Sequence, residues 1–151
     1  MDYQRVITTL NNLLETTKDG ENGFRACVAG VTNPRLKEVL ERAAMRCDEG
    51  AIELESKIRS LGGEPATSGT FAGSVHRVWT NVISSISGMS EQAVLSECER
   101  GEEFAERAYE AALQEPLPPD IEQMVRRQYE GVRRNHTLVR DLRNEAAQPQ
   151  S

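Results

Sequence analysis

The sequence predicts an all-α fold, an antiparallel four-helix bundle whose second and third long helices are joined by a crossover carrying a short extra helix. Three observations carry that prediction. Apolar residues recur at steps of three and four along four long segments, which places them on single helix faces. Proline and glycine stand where those segments would begin and end. The 151 residues are 38% apolar but only 5% aromatic, so a core has to be assembled from Leu, Val, Ile and Ala on helix faces. A chain of this length encloses one core rather than two. Residues 1–145 are therefore expected to form a single domain, with 146–151 as a disordered tail.

The first helix is marked from Tyr3 to Val31 by Val6, Leu10, Leu13, Thr17, Glu21, Phe24, Val28 and Val31 on one face. Asn33-Pro34 pairs a favoured N-cap with proline at the first helical position, so a second helix opens with almost no loop before it. Its stripe is Leu36, Leu40, Ala43, Cys47, Ala51, Leu54, Ile58 and Leu61, and it stops at Gly62-Gly63, where glycine can take the left-handed conformation of a C-cap. A Pro, Ser and Gly loop over 64–69 precedes the short helix, which runs from Phe71 to Ile86 with Phe71, Val75, Val78, Trp79, Val82, Ile83 and Ile86 at helical spacing. Ser90 caps the third long helix, which reaches about Gln114 with Val94, Cys98, Glu102, Ala105, Tyr109 and Leu113 on its stripe. Pro116, Pro118 and Pro119 end it, and the last helix continues to about Asn144 through Ile121, Val125, Val132, His136, Val139 and Leu142.

Two tight helix pairs joined by about 25 residues, enough to cross a bundle from end to end, give the topology of ferritin-like folds. The motifs Leu10-Asn11-Asn12-Leu13-Leu14 with Asp19-Gly20, Ile58-Arg59-Ser60-Leu61-Gly62-Gly63-Glu64-Pro65, Glu97-Cys98-Glu99-Arg100-Gly101-Glu102 and Asn135-His136 are similar to those of a family of bacterial ferritin-like proteins, itself a domain of unknown function. The resemblance covers most of Leu10 to Arg143. It implies a fold and a bacterial origin, and it implies no activity.

A formal charge of −6 repels polyphosphate, so nucleic acid is not an expected partner. No apolar run approaches the roughly 20 residues of a membrane span, and the first residues lack the apolar stretch of a secretory signal. Cys27, Cys47 and Cys98 are an odd number without a Cys-x-x-Cys pair, which fits a reducing compartment. A soluble, cytoplasmic protein is expected. A phosphate-binding glycine loop, a catalytic triad in recognisable context and a Glu-x-x-His pair are all missing from the bundle helices, so an enzyme signature is lacking.

Ferritin-like di-iron proteins hold their metals with a Glu from each of two helices and a Glu-x-x-His from each of the other two. Counted from Leu61-Gly62-Gly63, the resemblance puts the second-helix ligand positions on Cys47 and Gly50, neither of which is a Glu or His. In the last helix His136 remains, but Arg133 stands three residues before it where a carboxylate is needed. Glu102 and Glu21 are the remaining inward carboxylates, with Glu99 at the edge of the stripe. The first expectation is a hydrogen-bonded remnant without a cofactor, since buried polar groups need partners whether or not they bind anything. The alternative is one transition metal, Fe or Zn, on Glu21, Glu102 and His136, with Glu99 or Cys47 as further candidates.

Gly20, Gly50, Gly101 and Gly131 each fall near the middle of a helix at a cost of about 1 kcal/mol relative to Ala. Close helix approach, local distortion or room for another side chain could each offset that. The third helix is rich in Glu and the last in Arg, which suggests facing charged surfaces. The functional expectation is a structural, interaction or stress-associated protein lacking a complete di-iron site, forming a homodimer through Phe71, Val75, Trp79 and Ile83 on the short helix. Its alternative is a metal-binding or redox protein using the degenerate carboxylate–histidine set.

Overall fold

In the computed structural model, residues 2–67 and 74–147 are described. They form five α-helices and no strand: α1 (Tyr3–Ala29), α2 (Pro34–Ser60), α3 (Ser74–Ser85), α4 (Glu91–Leu113) and α5 (Pro119–Ala147), with a 3-10 turn at Ile86–Gly88 between α3 and α4. The last helix runs past the expected end into the segment read as tail, because its turns continue to Ala147.

The caps expected at Asn33, Gly62-Gly63 and Ser90 are present, and Asp2 adds one at the start of α1. Asp2 accepts from the backbone of Gln4 and Arg5, Asn33 from Arg35 and Ser90 from Ala93, so each of these helix starts has donors satisfied by a side chain. At the end of α2, Gly62 has φ +84°, Gly62 N–H donates to Arg59 O and Gly63 N–H to Ile58 O. Those two bonds make a Schellman motif, which accounts for the paired glycines. Just beyond it, Asn11 on α1 donates to Glu64 O (3.1 Å) and accepts from Ala66 N–H (2.7 Å). The Leu10-Asn11 and Gly63-Glu64 motifs thus meet in space, one holding the other. At the opposite end Glu91, the first residue of α4, accepts from Thr32 N–H, the Thr32 hydroxyl and Asn33 N–H. Those donors hold its carboxyl below the usual range.

α1 packs along α2, α4 along α5, and α1 against α4, whereas α2 and α5 meet only sparsely; α3 lies across α1 and α4. The core divides into two clusters. One joins Val6, Leu10, Leu13 and Leu14 of α1 to Leu54 and Ile58 of α2, Tyr109 of α4 and Ile121 and Val125 of α5. The other joins Phe24 and Cys27 to Leu40, Trp79, Val82, Val94, Leu95, Cys98, Val139 and Leu142. Between them lies a layer containing Thr17, Gly20, Cys47, Gly50, Gly101, Glu102, Gln128, Gly131 and Asn135. No helix among the described residues is long and apolar enough to cross a membrane.

Of the outer strip expected on the short helix, Trp79 and Ile83 can be placed. Phe71, and the side chains of Val75 and His76, lie outside the described residues. Trp79 is 3% exposed and turns inward, its ring 5.2 Å from that of Phe24, so it is a core anchor and not part of an outer strip. Ile83, at 41%, does face outward.

Candidate functional site

His136 sits on α5 at the seam with α4, where Glu99, Glu103 and Glu106 stand at i, i+4 and i+7 and so share one face. Its Nδ1 is 2.7 Å from Glu106 Oε1, and its Nε2 is 3.4 Å from Glu99 Oε1 and 3.9 Å from Glu103 Oε1. A carboxylate accepts only, so Nδ1 carries the proton that Glu106 receives. In the neutral ring Nε2 is then a lone pair, buried and without a hydrogen-bond partner, turned toward two more acceptors. Three electron-rich atoms from Glu99, Glu103 and His136 lie within 4.8 Å of one another. Such a convergence is repulsive until a cation or a second ring proton joins it. A tetrahedral ion with bonds of about 2.1 Å holds its donors roughly 3.4 Å apart; the Glu99 contact matches that spacing, and the Glu103 contact at 3.9 Å would have to close on an ion.

Both inner donors are held from behind. Glu106 fixes the ring through Nδ1, and Arg143 Nε lies 2.7 Å from Glu99 Oε2, leaving Oε1 free to face the histidine. Outer partners of this kind orient metal ligands and set their basicity. Glu103 is the most exposed of the set, with 46% of its side chain accessible, so the site communicates with solvent.

The residues expected to share an ion are not brought together. Glu21 pairs with Arg25 on its own helix at 2.9 Å. Glu102 is buried and accepts from Asn135 Nδ2 at 2.6 Å, while its Oε1 has no hydrogen-bond partner. Burial pushes the Glu102 carboxyl up to about 8, against the Asn135 hydrogen bond and with Glu106 and Glu99 adding to the rise. Cys47 lies in the same layer, and burial, together with Glu102 and Glu21, pushes its thiol up to about 12, which keeps it protonated and so a poor nucleophile and a poor metal ligand. Among the described residues, the group of three whose donors converge is Glu99, Glu103 and His136. Of these the sequence pointed to His136 and Glu99; Glu103 and Glu106 were read as surface charge. Their spacing of four and three was the available signal.

The remaining cysteines make a contact that the sequence did not suggest. The Cys98 thiol donates to Cys27 Sγ at 3.0 Å inside the core, and this hydrogen bond, then burial, raises the Cys98 thiol well above its usual range.

The four mid-helix glycines share one location, though not one set of neighbours. Gly20, Gly50, Gly101 and Gly131, one from each long helix, all line a cavity of about 570 Å³ in the central layer. A Cβ on Gly101 would meet Trp79 at 2.3 Å, one on Gly23 at 2.0 Å, so the indole lies in a slot made by two glycines. Along one edge Tyr109 donates to Gln128 Oε1 (2.7 Å) and Gln128 Nε2 donates to Glu53 Oε1 (2.8 Å), while Arg127 pairs with Glu53. The expected pairing of the Glu-rich and Arg-rich helices is confined to particular contacts: Arg143 reaches Glu99 on α4, but Arg127 turns to α2.

Fold and site together define an all-helical bundle with a carboxylate–histidine cluster on the seam of its last two helices. The chain belongs to the family described as Domain of unknown function (DUF2383), whose model matches residues 5–115. That match spans α1 to α4 and ends before α5, so His136 lies beyond it. No curated protein matches the chain.

Proposed function

We propose that this protein is a ferritin-like bundle without a di-iron centre that binds one divalent transition-metal ion at Glu99, Glu103 and His136. The observation that carries the reading is the buried Nε2 of His136, unpartnered and directed at two carboxylate oxygens while Glu106 holds Nδ1. One imidazole and two carboxylates suit zinc, iron or manganese. Three protein donors beside solvent leave coordination positions to water, so the ion exchanges with its surroundings and is not locked into the core. The second-helix positions that the resemblance assigns to a di-iron centre hold Cys47 and Gly50, which supply no hard donor.

Calorimetric titration of chelator-stripped, untagged protein with Zn²⁺ tests this. One ion per chain is expected, and His136→Ala should abolish the saturable phase while keeping the helical circular dichroism. A titration without saturation, or one unchanged in His136→Ala, would leave the histidine as an ordinary partner of three carboxylates and sink the proposal.

A further inference from the structure

The cavity in the central layer has properties that packing alone does not demand. Its volume of about 570 Å³ falls within the roughly 300–1,000 Å³ typical of small-molecule sites. The space is a cleft open to solvent on the α2–α5 side, larger than the small voids that a packed core leaves. A glycine stands on each of the four long helices around it. Gly50 is instructive, since a Cβ there would meet its nearest neighbours, Gln128 and Thr17, at 3.6 to 3.7 Å, an ordinary contact. An alanine would fit at that position, so close packing does not account for Gly50. The wall also carries Glu102, 3% exposed, with an oxygen that no protein donor reaches. A buried polar group in that state costs stability unless a guest or water supplies the bond.

The entrance carries mixed charge, in which Arg46, Arg127 and Arg134 outnumber Glu49 and Glu53. Exposed residues on the lining come from α2 and α5, the pair that packs least closely. Arg46 of α2 and Arg134 of α5 converge there: their Cδ and Nη2 lie 3.4 and 3.8 Å from the point a Cβ on Gly131 would occupy. Among the described residues neither has a carboxylate partner, whereas the neighbouring Arg127 is matched by Glu53. Arg46 instead donates to the backbone carbonyl of Gly131. In a chain of net charge −6, two guanidinium groups without an ion-pair partner among the described residues stand at the mouth of this space, and Arg46 also acts on the buried Glu102 carboxyl. Paired arginines recognise carboxylate and phosphate oxygens through their planar fork of donors. The deeper lining is apolar where Phe24, Ala43 and Trp79 contribute.

We infer that the central cavity binds a small amphipathic anion, its apolar body between the helices and its anionic head at Arg46 and Arg134. The site is separate from the α4–α5 seam, and its occupation does not require a metal.

Trp79, the single tryptophan of the chain, lines the cavity and reports on its contents. Its fluorescence is followed while decanoate, kept below its micellar concentration, is added to the full chain in chelator; decanol and acetate serve as probes lacking the charge and the apolar body. The expected result is a saturable shift with one decanoate per chain, with acetate silent. Arg46→Ala combined with Arg134→Ala should weaken decanoate at least 10-fold and leave decanol unchanged. Gly50→Met, whose side chain enters the space from a position with room for its Cβ, should remove both while retaining the helical spectrum. The inference is overturned by a decanoate signal that does not saturate, by undiminished binding in Gly50→Met, or by a double arginine variant that holds decanoate as tightly as the parent.

Discussion

The Nδ1 of His136 lies 2.7 Å from Oε1 of Glu106, and this one contact decides which nitrogen of the ring is free. Because the carboxylate can only accept, Nδ1 carries a proton, and in the neutral ring the lone pair of Nε2 faces Glu99 and Glu103. Replacing Glu106 by Gln keeps the size but offers either an amide N–H or a weaker acceptor, so the ring loses its fixed tautomer. Glu106→Gln should weaken Zn²⁺ binding by about 10- to 100-fold without changing the stoichiometry. Calorimetry on the chelator-stripped variant measures this, and an unchanged dissociation constant would remove Glu106 from the account.

Glycine at 101 and glycine at 50 should respond oppositely to the same substitution. In Gly101→Ala the new methyl would stand 2.3 Å from the Trp79 ring, forcing the indole out of its slot. The cost should be about 1 to 3 kcal/mol, the usual range for overpacking a core. In Gly50→Ala the methyl has room, and the gain in helix propensity should stabilise the protein by up to about 1 kcal/mol. Urea denaturation of the two variants gives both signs directly.

Stability should fall as pH rises through the neutral range when metal is withheld. Burial lifts the Glu102 carboxyl from its ordinary 4.5 to about 8, so between those values the folded chain keeps a proton that the unfolded chain has released. Its contribution is complete below about 4.5 and is lost as pH approaches 8. In Glu102→Gln the urea midpoint should therefore decline less between pH 5 and pH 8 than in the parent, both in chelator. A steeper decline in the variant would reverse the sign assigned to this group.

Asn11 joins the first turns of α1 to the chain leaving α2 through both halves of its amide. Asn11→Ala strands the carbonyl of Glu64 and the N–H of Ala66, and should cost about 1 to 3 kcal/mol. Asn11→Asp keeps the acceptor for Ala66 and loses the donor to Glu64, so it should fall between the two. Equal melting temperatures for all three proteins would show that solvent takes over these bonds.

Much of the fold was legible because it is written in local chemistry. Asn33 and Ser90 cap helices, Gly62 takes the left-handed turn, and the apolar stripes give the faces that meet. Glu102 was correctly placed inward by its position on the stripe with Val94, Cys98 and Tyr109. What periodicity does not fix is the rotation of one helix against another. An error of a fraction of a turn separates Asn135, which reaches Glu102 inside the bundle, from His136, which meets Glu99, Glu103 and Glu106 outside it. Template counting assigned His136 to the core for that reason. The mid-helix glycines were visible as a cost without a cause, since the space they line is a property of four helices together and of none alone. Trp79 was ambiguous because an indole suits a core anchor and an exposed strip equally well by spacing, and only the slot at Gly23 and Gly101 separates them.

The metal position is the point on which the functional account turns, and anomalous scattering from a crystal soaked in Zn²⁺ locates it directly. The account predicts one dominant peak at about 2.0 to 2.2 Å from Nε2 of His136 and from a carboxylate oxygen of each of Glu99 and Glu103. A peak coordinated instead by Glu102 in the central layer, or no peak at the α4–α5 seam at saturating zinc, would contradict it.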